Sequence, residues 1–217
     1  MAKLIKDIHD LYNFLAGKNI ATKQDPARLD AVLYEVVISI FNEHYDHYVK
    51  TQKISDYLMP FKRQKNITVS NGIATLPPDY LHARFVTTSG GIAVDIVEDK
   101  FWANRFNRKV GPVSADRPIC RIEDSGEETP TKVINVYPGN LTPVKFYYFK
   151  LPTRPVYAYT VTGSRYVYND VGSTDVDFSP ALLPQLVLKM LSRFGINLRE
   201  QQVIMYAEQM KLQESTK

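Results

Sequence analysis

Two histidines three apart, in Glu43-His44-Tyr45-Asp46-His47, are the first residues in this chain whose type and spacing suit chemistry. With flanking carboxylates they resemble half of a metal site. A structural zinc site needs four ligands, and no third or fourth stands nearby at a recognisable spacing. His44 and His47 are therefore expected to be structural, placed at a helix end where the dipole favours them. The acid pairs Glu127-Glu128 and Asp175/Asp177 lie in turn-rich segments, and sequence spacing does not report the distance between two glycosidase acids. Cys120 has no histidine close by and reads as a small buried hydrophobe. There is no phosphate-cradling glycine loop and no Gly-x-Ser-x-Gly elbow. No catalytic, cofactor-binding or metal-binding residue is assigned, and the chain is expected not to be an enzyme. A hydrolase with an unrecognised site stays as a further alternative.

The remaining candidates are aromatic. Fourteen tyrosines are present, and six of them cluster at 146–149, 157–159 and 166–168. Aromatic strands can stack bases or sugars. Tyrosine also suits protein interfaces, with an apolar body and a polar tip. Few basic residues interleave with these strands: Lys145, Lys150, Arg154 and Arg165. The interface reading is preferred, and Tyr147, Tyr159 and Tyr168 are its candidate contacts.

Periodicity gives the elements that carry these residues. Leu4, Ile8, Leu11 and Leu15 predict an amphipathic helix ending at Gly17. Asp25-Pro26 predicts the start of a long helix to about Val49, with Leu29, Val32, Leu33, Val36, Val37, Ile40 and Phe41 buried. From Asn66 the signals change to strands and turns. Ser70-Asn71-Gly72 predicts a hairpin between Ile67–Val69 and Ile73–Leu76. Ser89-Gly90-Gly91 and Gly163-Ser164 predict two more. Residues 98–107 read as a short helix with Phe101, Trp102 and Phe106 inward. Ile119–Ile122, Thr131–Tyr137 and Val144–Leu151 read as strands. Pro138-Gly139-Asn140 has the order of a type II turn. Ser179-Pro180 opens a last helical segment, regular from about Leu183 because of Pro184, with Leu183, Leu186, Val187, Met190, Leu191 and Phe194 on its apolar stripe. Gly195 stops it, and Asn197 with Glu200 resembles the capping box of a second helix.

The expected fold is α+β: a helical part, made of N-terminal helices and a C-terminal helical hairpin, with an inserted antiparallel β domain. The expected boundaries are 1–62, 63–174 and 175–217. The chain has 217 residues, 44% hydrophobic and 23% charged, ordinary values for a folded protein. Its net charge of +4 is spread out: residues 1–65 hold 10 basic and 8 acidic side chains, and residues 175–217 hold 5 of each. DNA contact is then expected to be weak, salt-sensitive and sequence-independent. The start, Met1 to Asp7, predicts no secretory leader, and no apolar run is long enough to span a bilayer. One cysteine forms no internal disulfide, which suits a reducing cytoplasm.

Several stretches together carry a resemblance. They are Leu76-Pro77-Pro78-Asp79-Tyr80, Val136-Tyr137-Pro138, Lys145-Phe146-Tyr147-Tyr148 with Leu151-Pro152 and Pro155, Tyr166-Val167-Tyr168, Ser173-Thr174-Asp175, Phe178, and Phe194-Gly195-Ile196-Asn197-Leu198-Arg199-Glu200. In that order they resemble the head-to-tail connector, or tail adaptor, ring proteins of crAss-like bacteriophages, over roughly residues 66–214. The resemblance implies a structural virion protein of the neck, made in the bacterial host cytoplasm. It implies a ring of about twelve copies between portal and tail. Its partners would be further copies of itself, the portal protein and other neck or tail proteins, with DNA passing through the lumen without sequence-specific binding. Met205 and Leu212, off the stripe of Val203, Ala207 and Met210, are expected to meet a neighbouring protein. The alternative is a carbohydrate- or nucleic-acid-binding module using the aromatic strands.

Overall fold

The computed structural model describes residues 4–17, 24–107, 109, 111–126, 131–163 and 165–195. The chain forms two compact units. A helical unit takes the chain up to Pro60 and again from Pro152; a sheet unit is Phe61–Leu151. The class is α+β, with a seven-stranded sheet and a separate two-stranded one. The expected boundary at 174 is corrected to 151. Among the described residues the strands after Leu151 pair only with each other, and they lie in the unit that holds the helices.

In the helical unit, α1 (Leu4–Ala16) buries Ile5, Ile8, Tyr12 and Leu15, one stripe of an amphipathic helix. It stops at Gly17, whose N–H reaches Asn13 O at 2.9 Å. α2 (Pro26–Thr51) starts as expected: Asp25 is extended, and its carboxylate accepts the Ala27 N–H. Leu29, Leu33, Val36, Val37, Ile40 and Phe41 are buried, while Val32 is only half-buried. The helix ends on Gln52, left-handed at φ 57°, whose N–H bonds Tyr48 O. A single 3-10 turn, Pro180–Leu182, follows the Ser179 cap and leads into α4 (Leu183–Arg193). Pro184 therefore sits in the first turn of α4, where its missing N–H costs nothing. Leu186, Val187, Met190 and Leu191 are buried, and α4 packs on α1 and α2. Gly195 closes it at φ 72°. The second helix expected of the C-terminal hairpin, with Asn197, Glu200, Met205 and Leu212, lies outside the described residues.

The sheet unit has seven strands: β1 (Lys62–Ile67), β2 (Ile73–Thr75), β3 (Tyr80–Thr88), β4 (Ala93–Ile96), β5 (Ile119–Asp124), β6 (Lys132–Tyr137) and β7 (Val144–Lys150). Their order is β1-β7-β3-β4-β5-β6-β2. The expectation of a purely antiparallel domain is corrected: β4 and β5 run parallel, pairing Asp95 with Ile119 and Ile96 with Cys120. The segment between them, which holds α3 (Asp99–Phe106), is long enough for a parallel crossover. The hairpin expected across Ser70-Asn71-Gly72 is also corrected. The turn forms, with Asn71 at φ 52° and Gly72 at φ 83°. Only Ser70 and Ile73 bridge, however, and β1 then pairs with β7 while β2 pairs with β6. The two strands flanking the turn are thus the first and last of the sheet order. The sheet curls around one core that takes Ile67, Leu76, Val86, Val94, Ile134 and Phe146 from opposite ends of that order.

Gly139 explains how the curl fits. It is not at positive φ, so the type II turn expected at 138–140 does not form. A Cβ on Gly139 would lie 3.1 Å from Gly72 N and 3.2 Å from Gly72 Cα. The glycine allows two backbones to touch rather than allowing a dihedral.

The placement of α3 departs from expectation too. It buries no residue; Phe101 and Phe106 are exposed and Trp102 is half-buried. An eight-residue helix with Asn, Arg and Lys interspersed does not cover a core, and its aromatic rings pack on each other and on Tyr137 instead.

Candidate interaction surfaces

The helical unit carries the two-stranded sheet: β8 (Tyr159–Thr162) and β9 (Arg165–Tyr168). Tyr159 pairs with Tyr168 and Val161 with Tyr166. Side chains alternate across a strand, so these four share one face, and Thr160, Thr162, Arg165 and Val167 share the other. The aromatic face is self-stacked: Tyr159 and Tyr166 meet edge-on at 4.9 Å, and Tyr168 lies 5.0 Å from Tyr157. Exposure rises along it. Tyr157 is buried, Tyr159 half-buried, and Val161 is 63% exposed. Val171, just beyond β9, is 83% exposed. Among the described residues no further strand pairs with this ribbon.

A buried polar strut anchors its root. Asp30, on α2, accepts His9 Nε2 at 2.9 Å through one carboxylate oxygen and the Tyr157 N–H at 2.8 Å through the other. The His9 ring stacks on Tyr157 at 4.2 Å. Three chain segments are tied by one carboxylate. A histidine–aspartate pair also occurs in hydrolases, and a cavity of about 190 Å³ lined by His9, Asp10, Asn13 and Tyr166 lies beside it. Here both carboxylate oxygens are engaged in holding α1 and the ribbon, and no hydroxyl or thiol nucleophile is hydrogen-bonded to His9 among the described contacts. Sequence reasoning missed this pair. The available signal was an acid, Asp30, next to Leu29 on the apolar stripe of α2.

The acids singled out in sequence are engaged as well. Asp175 accepts the Leu4 and Ile5 N–H groups, at 3.0 and 2.8 Å, and caps α1 from 171 residues away. Asp177 accepts the Thr153 N–H at 2.8 Å. Glu127 and Glu128 lie outside the described residues. His44 and His47 do not converge: His44 packs on Tyr57 at 4.8 Å with its Nε2 buried and unpartnered, while exposed His47 faces Thr51. Burial lowers the His44 pKa. Cys120 is buried in the sheet core, and burial pushes its thiol up to about 12, leaving it protonated and inert.

Tyr147 belongs to the sheet unit, and Tyr159 and Tyr168 to the helical unit. Val144, Phe146 and Tyr148 of β7 enter the core, which puts Lys145 and Tyr147 on the outer face. Tyr147 stacks on exposed Phe85 of β3 at 4.1 Å and 19°. Arg84 lies over Phe85 at 5.3 Å and over Phe149 at 5.4 Å. Tyr148, on the inner face, donates to Asp79 at 2.9 Å, and burial with that carboxylate pushes its hydroxyl up to about 12.

Among the described residues no group of three metal-ligating side chains converges, and no helix is long and apolar enough to cross a membrane. No protein-family model matches the chain, and no curated protein matches it.

Proposed function

We propose that the chain is a structural virion protein: a subunit of the head-to-tail connector ring that joins portal to tail and lines the DNA channel. One observation carries the reading. The β8–β9 ribbon has a tyrosine-valine face that gains exposure toward its tip, and its root is fixed by a buried carboxylate. An isolated two-stranded ribbon is marginally stable in water. Its apolar face and its open strand edges are satisfied by a neighbouring surface, and in a ring every copy has the same neighbour. The resemblance in residues 66–214 supplies the kind of ring; the ribbon supplies a contact suited to it.

The experiment is incorporation. A ring of about twelve copies of a 24.8 kDa chain has a mass of roughly 300 kDa. Wild-type protein is expected in purified particles and in a multimer co-assembled with portal. Val161→Asp with Tyr166→Asp is expected to abolish incorporation while the free chain keeps its circular dichroism spectrum. Absence of the wild-type chain from particles and from portal co-assemblies overturns the connector reading. Normal assembly of the double variant overturns only the role of the ribbon.

A further inference from the structure

The expectation that the +4 is spread out, read from the two ends of the sequence, is corrected when the two units are counted separately. Residues 61–151 hold 13 of the 27 basic and 9 of the 23 acidic side chains, so they account for the whole +4. Within that unit the imbalance narrows to three adjacent strands. β1, β7 and β3 together contain Lys62, Arg63, Lys65, Arg84, Lys145 and Lys150, and no acidic residue. Arg63 and Lys65 stand opposite core-side Tyr148 and Phe146, and Lys150 is buried, which leaves Lys62, Arg84 and Lys145 for the outer face. Register places Gln64, Tyr147 and Phe85 in one row across the outer face, and Asn66, Lys145 and Thr87 in the next. Lysine on β1 has a simple explanation, since edge strands use charge to avoid pairing with other chains. That explanation does not reach Lys145 and Arg84: β7 and β3 are interior strands. Arg84 is also held firmly, with its guanidinium over two rings and its Nε buried without an acceptor.

We propose that the outer face of β1, β7 and β3 binds duplex DNA through its phosphates. A basic face with no carboxylate in its strands attracts a polyanion. Exposed Gln64 and Asn66 add amide donors beside the cations. Phe85 is stacked on Tyr147 and covered by Arg84, so its ring is engaged within the face and not offered to an unpaired base. Backbone contact without base stacking suits a duplex. The choice of duplex over single strand also rests on the channel-lining reading above; the basic face does not.

The test is fluorescence polarisation of the full chain with a labelled mixed-sequence duplex and, separately, with one of its strands. Lys62, Arg84 and Lys145 at phosphates give a slope of log K against log salt of about −2.7, at about −0.9 per contact. Lys62→Glu with Lys145→Glu is expected to flatten the slope by about 2 and to weaken binding at least about tenfold near 50 mM salt. Lys50→Glu with Lys53→Glu, the same charge change on exposed residues of the helical unit, is expected to bind like wild type. Continued protection of Cys120 from a thiol reagent shows that the sheet unit of each variant is folded. No duplex binding near 50 mM salt, equal losses in the two double variants, or tighter binding of the single strand overturns the proposal. Incorporation into particles is read independently, so either proposal can fail alone.

Discussion

Two glycine turns in this chain have similar local chemistry and opposite consequences. At Gly163 the flanking strands β8 and β9 pair with each other through four residue pairs. At Asn71-Gly72 the chain reverses just as tightly, yet β1 and β2 separate after one bridge and lie at the two ends of a seven-strand order. The difference lies beyond the turn. β1 has β7 as a partner and β2 has β6, and both strands gain a shared apolar core by taking those partners. Among the described residues β8 and β9 have only each other. A turn sequence sets the reversal of the chain; burial sets the pairing.

The sharpest way to break this comparison is at the root of the ribbon. Asp30→Ala leaves His9 Nε2 and the Tyr157 N–H buried without their acceptor, which costs about 3 kcal/mol. Far-ultraviolet dichroism should show the helical unit melting earlier. Trp102, the single tryptophan, should report an unchanged sheet unit; an unchanged helical transition would show that the strut carries no weight.

Next comes the closure of the curled sheet. Gly139→Val drives a branched side chain into the Gly72 backbone and is expected to cost about 2–3 kcal/mol. Here Cys120 labelling and Trp102 fluorescence should change first. Equal stability to wild type would mean that the close approach of the two glycines is dispensable.

Gly163→Ala probes the other turn. A Cβ there meets nothing within 4 Å, so only the positive φ of 63° resists it, at about 1 kcal/mol. A loss as large as that of Gly139→Val would remove the contrast between packing and conformational cost.

The smallest effect belongs to His44. Its folded pKa lies below the ordinary 6.5 because burial disfavours the cation. The unfolded chain therefore takes up the proton first, and stability falls as pH drops below about 6.5. His44→Leu should flatten that part of the stability profile of the helical unit. A wild-type profile that rises toward acid pH would contradict the assignment.

Much of the helical unit was legible because its rules are local. Asp25-Pro26, Ser179-Pro180 and Gly195 mark helix ends through caps that neighbours in sequence complete, and the apolar stripes of α2 and α4 follow from spacing alone. What escaped notice was non-local. Nothing near Asp30 announces that its carboxylate meets a backbone N–H 127 residues on, and nothing near Asp175 points to the first turn of α1. In the sheet unit, strand positions could be read but partners could not: Ile67 alternates with polar residues in the same way whether it faces β2 or β7. The surfaces divide likewise. Tyr159 and Tyr168 came together because a hairpin pairs them, while the basic face was hidden because its residues come from strands far apart in sequence.

The pairing of β1 with β7 has a consequence for the order in which the protein is made. Lys62 stands opposite Phe149, so once the sheet unit folds its two ends are held one strand spacing apart, about 4.8 Å. The sheet unit is contiguous in sequence and can form while later residues are still being synthesised. The helical unit cannot: α1 and α2 precede the sheet, and α4, Asp175 and Tyr157 follow it. Joining those halves across an unfolded stretch of this length would cost about 4 kcal/mol in lost chain entropy. A folded sheet removes most of that cost in advance. The insertion thus serves the helices as a clasp, and the first helix of the chain waits for one of its last described loops before its opening turn is capped.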